Sequence, residues 1–236
     1  MRSSILFYIL LISLMLSCSG EIGRRTDYEI DGIDISRYQS RINWKELVEQ
    51  KFDFVFVKAT EGGNHRDTMF DTHWESIKKA GLKRGAYHFF RPGISPLLQA
   101  KNFINQVELQ PGDLPPVIDI EVTDGASKTI IVNRIKSWLE IVEIRYGVKP
   151  IIYTHLKFYY NYIVGEFDDY PLWIAKYGDM KPQIVNSEKF KFWQYSNHGQ
   201  VKGIKGDVDF NVFDGTRSDF DAFCIKHNSE ISAVEK

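Results

Sequence analysis

Residues 114–121 read Leu-Pro-Pro-Val-Ile-Asp-Ile-Glu, an apolar run that ends in two carboxylates. Such a run is typical of a buried strand. Residues i and i+2 of a strand point to the same face, so Asp119 and Glu121 are expected to look into one space, about 7 Å apart along the backbone. The end of this strand is therefore the first candidate for a functional site.

Apolar runs of the same kind recur along the rest of the chain and alternate with helical patterns. We predict eight strands, at residues 32–36, 54–59, 84–89, 116–121, 150–154, 172–176, 190–195 and 208–212. Helices are predicted at residues 44–50, 69–80, 96–107, 128–146 and 156–163. The last three strands are joined by Gly-, Pro- and Asn-containing loops that leave little room for helices.

The order of these elements is five βα units followed by three strands. Alternation of apolar strands with helices favours a parallel sheet covered by helices, and eight strands allow closure into a barrel. An open doubly-wound sheet is the structural alternative. No Gly-x-Gly-x-x-Gly follows the first strand, which argues against a nucleotide-binding form of that alternative. The predicted fold class is therefore an α/β barrel.

The composition bounds the class of protein. The chain has 236 residues, of which 43% are hydrophobic and 14% aromatic, enough for one substantial core in a single domain of about 200 residues. We assign residues 31–225 to the barrel domain and residues 226–236 to a polar tail, and we expect a monomer. The net charge of −1 and the lack of a polybasic block give no reason to expect nucleic-acid binding.

The amino-terminal residues form a separate piece. Residues 5–16 are almost wholly apolar but too few for a permanent transmembrane helix, so residues 1–17 are interpreted as an export signal. The Leu-Ser-Cys that ends at Cys18 resembles the lipobox of bacterial lipoproteins, in which the signal is cut before a cysteine that is then acylated. Cys18 would then anchor the protein to a membrane of the bacterial envelope, with residues 18–30 as a tether. The alternative is an ordinary secretory signal and a periplasmic or secreted protein.

Cysteine and histidine usage gives no sign of a disulfide framework or of a metal site. If Cys18 carries lipid, Cys224 has no partner and is interpreted as a buried apolar residue near the end of the last helix. The six histidines show no His-x-x-x-His or similar spacing. No metal ion and no cofactor are therefore expected.

Polar residues accumulate near the ends of the predicted strands, and barrel enzymes build their sites from those ends. In chain order they are Asp34, Lys58, Glu61, Tyr87, Asp119, Glu121, Tyr153, Trp173, Gln194 and Asp209. The carboxylates of strands one, four and eight are expected to meet in a closed barrel, because strands one and eight are neighbours. Two carboxyl groups in such a place, one protonated and one ionised, are what glycosidic bond cleavage usually requires.

Several short segments, taken in order, are similar to the motifs of a known family. They read DGIDIS (31–36), FVFVKATEG (54–62), GAYHFF (85–90), DIE (119–121), LWIA (172–175), WQY (193–195) and VDFN (208–211). The family is glycoside hydrolase family 25, the Chalaropsis-type lysozymes or N-acetylmuramidases. The resemblance implies a modified TIM-like barrel, (β/α)5(β)3. It also implies cleavage of the β-1,4 bond between N-acetylmuramic acid and N-acetylglucosamine in peptidoglycan.

By motif, Glu121 resembles the family's general acid, and Asp119, Asp34 and Asp209 resemble its supporting active-site carboxylates. Anionic neighbours raise the pKa of a carboxylic acid, so Glu121 is predicted to hold a proton near neutral pH and to deliver it to the leaving oxygen. A remaining carboxylate then acts on the anomeric carbon directly, through water, or by orienting the 2-acetamido group of the substrate. We assign the last role to Asp119, with Asp34 and Asp209 shaping polarity and water.

Six further residues are predicted to bind the glycan strand: Lys58, Glu61, Tyr87, Tyr153, Trp173 and Gln194. Sugar sites need flat apolar surfaces beside hydrogen-bonding groups, although aromatic residues also fill cores and an acidic residue in a Gly-rich loop is often only solvated. Lys58 is placed in the site, where it binds the muramyl carboxylate or neutralises the acidic groups. His88 is interpreted as a hydrogen-bonded barrel histidine rather than a base.

Two other functions are compatible with these residues. One is a glycan-binding barrel without hydrolytic activity, because carboxylates also bind sugars. The other is a hydrolase of another amino sugar polymer, such as chitin. The Asp-x-x-Asp-x-Asp-x-Glu pattern of chitinase-type barrels is absent, however, since position 117 is valine.

Overall fold

A sheet of nine strands closes on itself at the centre of the protein. The computed structural model describes residues 23–185 and 187–226. The strands are β1 (Asp31–Ile35), β2 (Phe54–Glu61), β3 (His65–Arg66), β4 (Lys83–Phe89), β5 (Val117–Asp119), β6 (Ile151–His155), β7 (Leu172–Ala175), β8 (Phe190–Gly199) and β9 (Val208–Phe213). Their order is β1-β9-β8-β7-β6-β5-β4-β2-β3, and a further β1–β2 pairing closes eight of them into a barrel.

Helices cover the outside of the barrel. They are α1 (Trp44–Glu49), α2 (Phe70–Lys79), α3 (Pro96–Gln106), α4 (Lys128–Tyr146), α5 (Leu156–Phe158), which continues into a π-helical turn (Tyr159–Ile163), and α6 (Arg217–Phe223). The prediction of five βα units followed by three strands is confirmed. Within the two described ranges, no helix combines the length and the apolar character that crossing a membrane requires.

The last strand of the barrel runs against the direction of the others. β9 pairs antiparallel with both β8 and β1, whereas the other barrel strands pair in parallel. The sequence predicts a parallel sheet, which is wrong for β9. A parallel return needs a crossover of a dozen or more residues, and the connection from β8 to β9, residues 200–207, is shorter. The two-residue β3, which pairs antiparallel with the end of β2, is likewise absent from the prediction.

Aromatic side chains fill the inside of the barrel. The rings of Phe54 and Phe56, both from β2, lie 5.5 Å apart between centroids, and the Trp173 ring stacks on Phe56 at 4.4 Å. Two glycines on the flanking strands make room for them. A Cβ atom on Gly32 would lie 2.6 Å from the Phe54 ring, and one on Gly85 would lie 2.3 Å from the Phe56 ring. Glycine at these two positions therefore lets β1 and β4 close around the rings.

A second apolar layer lies between the strands and the helices. Val55 and Val57 face this layer, because alternate residues of β2 point away from the barrel interior. In α4 the buried positions recur every three to four residues, which places them on one helix face. They are Ile131, Val132, Ile135, Trp138, Leu139 and Val142.

Residues 23–30 lie against the barrel, although they belong to the segment predicted as a tether. The Arg25 amide donates a hydrogen bond to the Tyr195 hydroxyl at 3.2 Å, and the Arg25 guanidinium lies over the Trp193 ring at 4.7 Å. Ile30 is fully buried. This part of the chain is therefore packed on the domain just before β1 begins.

Cys224 is buried at the end of α6, as predicted. Its thiol donates to the Phe220 carbonyl at 3.4 Å, so it behaves as a packed core residue. The predicted export signal and Cys18 lie outside the described residues, as do residues 227–236 of the predicted polar tail.

The close contact at Gly85 predicts a loss of stability on a minimal substitution. Gly85→Ala places a methyl group against the Phe56 ring and is expected to lower the free energy of unfolding by about 1–3 kcal/mol, the usual cost of overpacking a core. Gly23→Ala is the matched control, since nothing lies within 4 Å of a Cβ atom at that position. Chemical denaturation followed by tryptophan fluorescence measures both variants, and equal stabilities would contradict this packing.

Candidate active site

A cavity of about 340 Å³ opens at the end of the barrel where the parallel strands finish. All four carboxylates predicted for the site line it: Asp34, Asp119, Glu121 and Asp209. Five of the six predicted substrate-binding residues line it as well: Lys58, Tyr87, Tyr153, Trp173 and Gln194. We call this space the acidic cavity, because it brings four carboxyl groups together with one lysine.

A larger cavity, of about 750 Å³, lies at the opposite end of the barrel. Its lining includes residues that precede strands, such as Pro115 before β5 and Pro171 before β7. Five lysine or arginine residues and one carboxylate, that of Asp169, line it, and none of the predicted site residues does. The acidic cavity is therefore the candidate active site, because cleavage of a glycosidic bond requires paired carboxyl groups.

The antiparallel direction of β9 brings Asp209 into the acidic cavity. Asp209 is the second residue of β9, so in a parallel strand it would lie at the far end of the barrel. In the observed register Asp209 is directly opposite Asp34 of β1. A carboxyl group from the start of the domain is thereby paired with one from its end.

Two amide groups hold the Asp34 carboxyl in place. Asp34 Oδ1 accepts from Gln194 Nε2 at 2.9 Å and from Asn211 Nδ2 at 2.7 Å. Gln194 is itself fixed, since its Oε1 accepts from the hydroxyls of Tyr153 at 2.9 Å and Tyr177 at 3.2 Å. The orientation of Asp34 is therefore set by a hydrogen-bonded network that joins β1, β6, β8 and β9.

Burial raises the pKa values of Asp34 and Asp209. For Asp34, loss of contact with water is the largest cause and the charge of Asp209 is the next, while the hydrogen bonds from Asn211 and Gln194 act in the opposite direction. For Asp209, burial is again the largest cause, and the charge of Glu121 also raises its pKa. This pair of carboxyl groups therefore retains a proton at pH values at which a free aspartate is ionised.

Asp119 and Glu121 differ in environment, although both line the acidic cavity. Asp119 is only 6% exposed, and its Oδ1 has no hydrogen-bond partner among the described residues. Burial and then the charge of Glu121 raise the pKa of Asp119, whereas the charge of Lys58 lowers it. Glu121 is partly exposed. The prediction that Glu121 holds a proton near neutral pH stays a prediction.

The strand predicted to carry both residues, 116–121, is three residues shorter in the structure, where it covers Val117–Asp119. β5 ends at Asp119, and Glu121 follows it in irregular backbone. The Ile120 amide still donates to the Tyr153 carbonyl at 3.0 Å, but the Ile120 carbonyl is taken by the Thr154 hydroxyl at 2.6 Å. A side chain thus replaces the next bond of the ladder, and Glu121 is not held by strand pairing.

Glu61 lies beside the acidic cavity but does not line it. Lys58 Nζ donates to Glu61 Oε2 at 2.8 Å, and Arg91 Nη1 donates to Glu61 Oε1 at 3.3 Å. Burial acts to raise the pKa of Glu61, but the hydrogen bond from Lys58 and the charges of Lys58 and Arg91 outweigh it and lower the pKa. Glu61 is therefore an ionised partner of two cations at the end of β2, not a solvated loop residue.

Trp173 and Tyr153 are core residues whose edges reach the acidic cavity. Trp173 is 2% exposed and donates from Nε1 to Asn211 Oδ1 at 2.8 Å. Tyr153 is 6% exposed and packs edge-on against Trp173, with ring centroids 4.5 Å apart. Tyr87 is less buried than either. The three predicted aromatic binding residues therefore combine a packing role with a position on the cavity lining.

His88 is a buried, hydrogen-bonded barrel histidine, as predicted. Its Nδ1 lies 2.7 Å from Thr60 Oγ1 and its Nε2 lies 3.1 Å from Gln99 Oε1. Gln99 Oε1 also accepts a hydrogen bond from the Arg91 amide, which identifies this atom as an acceptor. His88 Nε2 is therefore the donor to Gln99, and His88 Nδ1 accepts from the Thr60 hydroxyl. Burial lowers the pKa of His88 to about 4, which keeps the ring neutral. In the described part of the chain, no three His, Cys, Asp or Glu side chains are grouped as a metal site.

Most of the barrel domain is similar to one known protein family. Residues 33–204 match the family model described as Glycosyl hydrolases family 25. The chain belongs to this family. The uncharacterized protein YegX of Escherichia coli strain K12 is 41% identical over 201 residues, which are 83% of this chain and 74% of YegX.

Two further relatives carry names that state an activity. Lysozyme M1 of Streptomyces globisporus is 32% identical over 210 residues, which are 83% of this chain and 71% of that protein. A family 25 glycosyl hydrolase from Bacillus anthracis has a similar structure, with a TM-score of 0.79 and 33% identity, covering 86% of this chain and 96% of that one. The predicted modified TIM-like barrel, (β/α)5(β)3, is therefore confirmed.

Several residues that line the acidic cavity are absent from the sequence-based prediction of the site. Those that line it include Ser36, Tyr38, Gln39, Phe89, Tyr177 and Asn197. The position of Asn211, which holds Asp34, was predictable from the sequence, because Asn211 lies two residues after Asp209 and faces the same side of the strand. The position of Asn197 was not predictable, since β8 has register shifts between Gln194 and Gly199 that break the alternation of its faces.

The raised pKa of Asp119 predicts a stabilising substitution. Because the folded state retains the proton, this carboxyl group costs stability as the pH rises above its ordinary pKa of 3.8. Asp119→Asn removes the ionisation and is expected to raise Tm at pH 7 by roughly 2–4 °C, the change that about 1 kcal/mol produces in a domain of this size. Near pH 3, where the unfolded carboxyl is also protonated, the gain should vanish.

Thermal melts at the two pH values check this expectation. Asp179→Asn is the matched control, because Asp179 is exposed and its carbonyl, not its carboxylate, bonds to Arg25. A gain for Asp119→Asn that is as large at pH 3 as at pH 7 would contradict a titrating buried carboxyl group.

Proposed function

We propose that this protein is an N-acetylmuramidase, a lysozyme that hydrolyses the β-1,4 bond between N-acetylmuramic acid and N-acetylglucosamine in peptidoglycan. The observation that carries the proposal is the set of four carboxyl groups lining one cavity at the end of a family 25 barrel. The similarity to Lysozyme M1 of Streptomyces globisporus supports it. An enzyme that acts on the cell wall would be exported.

Glu121 is proposed as the general acid. It lies beyond β5 and is partly exposed, so it can approach a glycosidic oxygen bound in the cavity. Its proton passes to the leaving oxygen as the bond from that oxygen to the anomeric carbon breaks. A water molecule then supplies the hydroxyl group of the new reducing end and returns a proton to Glu121.

Asp119 is proposed as the partner that orients the 2-acetamido group. It is buried and fixed at the end of β5, and its Oδ1 has no hydrogen-bond partner among the described residues. A buried carboxyl oxygen without a hydrogen bond costs stability, and the amide N–H of the substrate's acetamido group can supply that bond. Direct attack by a carboxylate and activation of water are the two alternatives for this step.

Asp34 and Asp209 are proposed to shape the polarity of the cavity and to hold water near the anomeric carbon. Burial raises the pKa of both carboxyl groups, which reduces the negative charge of the site, and the amides on Asp34 keep that carboxyl group from moving. The positive charge that develops on the sugar in the transition state then has a preorganised anionic neighbour.

Contacts with the glycan strand are proposed for the residues named from the sequence. Lys58 lines the cavity as a cation held by Glu61, and its charge suits the muramyl carboxylate. Tyr87, Tyr153 and Gln194 offer hydroxyl and amide groups, and Trp173 supports them from the core. Glu61 is proposed to act through Lys58, because it does not line the cavity.

The proposal predicts that one isosteric substitution removes activity. Glu121→Gln deletes the transferable proton and is expected to lower the release of reducing ends from purified peptidoglycan by about a hundredfold to ten-thousandfold, with an unchanged Tm. Glu188→Gln, at an exposed position outside the cavity, is the control. Mass analysis of the fragments should show muramic acid at the reducing end.

Three outcomes would contradict this assignment. Retained turnover by Glu121→Gln would remove Glu121 from its role. Binding of peptidoglycan without turnover by the unmodified protein would identify a glycan-binding barrel. Fragments that end in N-acetylglucosamine, or turnover of chitin in place of peptidoglycan, would identify a different hydrolase.

We further propose that Cys18 carries a lipid anchor. The support is the Leu-Ser-Cys sequence after an apolar run. Cys18→Ala is expected to move the protein from the membrane fraction to the soluble fraction of the producing cells and to abolish incorporation of labelled palmitate. Cys224→Ala is the control, since Cys224 is buried in the barrel domain. Equal membrane association of the two variants would contradict a lipid anchor at Cys18.

A further inference from the structure

We propose that a chain of four charged residues positions Glu121 for catalysis, with Asp124 as the residue that fixes the loop. The four are Lys58, Glu61, Arg91 and Asp124, and we call them the rim chain. This inference rests on the proposed function and deepens it by adding two residues, Arg91 and Asp124, that do not line the acidic cavity. They are positioning residues that act through Glu121.

The rim chain is continuous in hydrogen bonds. Lys58 Nζ lies 2.8 Å from Glu61 Oε2, and Arg91 Nη1 lies 3.3 Å from Glu61 Oε1. On its other side Arg91 makes a two-bond contact with Asp124, with Nε at 2.9 Å from Oδ2 and Nη2 at 2.8 Å from Oδ1. Charges alternate along the chain, which joins the end of β2 to the segments that follow β4 and β5.

Asp124 anchors the far end of the segment that carries Glu121. The near end is fixed at Ile120, whose amide and carbonyl are bonded to the backbone of Tyr153 and the hydroxyl of Thr154. Glu121 therefore lies between two fixed points, Ile120 and Asp124, that are four residues apart in the sequence. With neither end free, the backbone at Glu121 has little room to move.

The backbone at Asp124 suits this role. Its φ is +47°, in the left-handed region, and Gly125 follows with a φ of +75°. Aspartate and asparagine tolerate this region better than most residues. The turn directs the Asp124 carboxylate at Arg91, and the amide of Gly93 adds a long contact at 3.5 Å. Side-chain exposure of Asp124 is 19%, so the pair with Arg91 is partly shielded from water.

The other end of the rim chain acts on the neighbour of Glu121. Lys58 reaches into the acidic cavity, where its charge lowers the pKa of Asp119 against the effect of burial. Glu61 holds Lys58, and Arg91 holds Glu61. One connected set of ion pairs therefore fixes both the proposed acid and the cation beside its partner carboxyl group.

Asp124→Asn tests the inference in the full-length protein. Asparagine keeps the shape and tolerates the left-handed backbone, but it loses the charge-assisted fork with Arg91. We expect kcat on purified peptidoglycan to fall roughly tenfold or more, since small misplacements of reacting groups are costly. KM should stay within about twofold, because Asp124 does not line the cavity. Tm should barely change, as is usual when one ion pair at the protein surface is removed.

Glu166→Gln is the matched control, because it removes an ion pair of similar length, 2.8 Å to Lys136, on another surface. Its kcat, KM and Tm should equal those of the unmodified protein. A kcat for Asp124→Asn equal to that of the control would overturn the inference. A rise in KM at constant kcat would also overturn it, since Asp124 would then contact the substrate.

A double-mutant cycle provides an independent test. Arg91→Met should lower kcat at least as much as Asp124→Asn, because it removes the contact with Glu61 as well as the one with Asp124. The double variant should be no slower than Arg91→Met alone, because the contact between Arg91 and Asp124 is already lost in that variant. Multiplied losses in the double variant would overturn the proposed coupling. An unmodified protein without turnover would overturn both this inference and the proposed function, whereas normal turnover with insensitive rim-chain variants would overturn this inference alone.

Discussion

Closure of the barrel through β1 is the interaction on which the candidate site depends. β1 pairs in parallel with β2 on one side and antiparallel with β9 on the other. This arrangement brings Asp34 and Asn211, which are 177 residues apart in the sequence, within 2.7 Å of each other. The cost of closing so long a loop is met by the aromatic packing inside the barrel, where glycines let β1 and β4 approach the phenylalanine rings of β2.

The same closure forces several carboxyl groups into one cavity, which works against stability. Burial raises the pKa values of Asp34, Asp119 and Asp209, so the folded protein must retain protons that free aspartates release. Amide donors satisfy Asp34, but Asp119 Oδ1 has no partner in the described residues. Buried carboxyl groups of this kind are typical of functional sites, where stability is given up for a prepared environment.

Apolar periodicity was enough to predict the barrel strands and the change from βα units to loop-connected strands. The direction of β9 was harder to predict, since residues 200–207 contain no pattern that distinguishes a hairpin return from a crossover. In the structure, β9 runs antiparallel to β8. Asp209 nevertheless reaches the predicted site, because reversing the strand moves its first residues to the cavity end. Tyr177 and Asn197 lie in a loop and beside register shifts, where alternation gives no information about which way a side chain points.

Asp119 and Glu121 show how one short sequence yields two kinds of carboxyl group. Asp119 pairs in register with Phe89 of β4 and Tyr153 of β6, so the ladder fixes its backbone on both sides. Glu121 lies past the point where the Thr154 hydroxyl ends the ladder. For Glu121 as the proposed general acid, a position outside the strand allows approach to a leaving oxygen, provided that side chains restrain the loop. The ion pairs of Arg91 supply that restraint from the neighbouring segment.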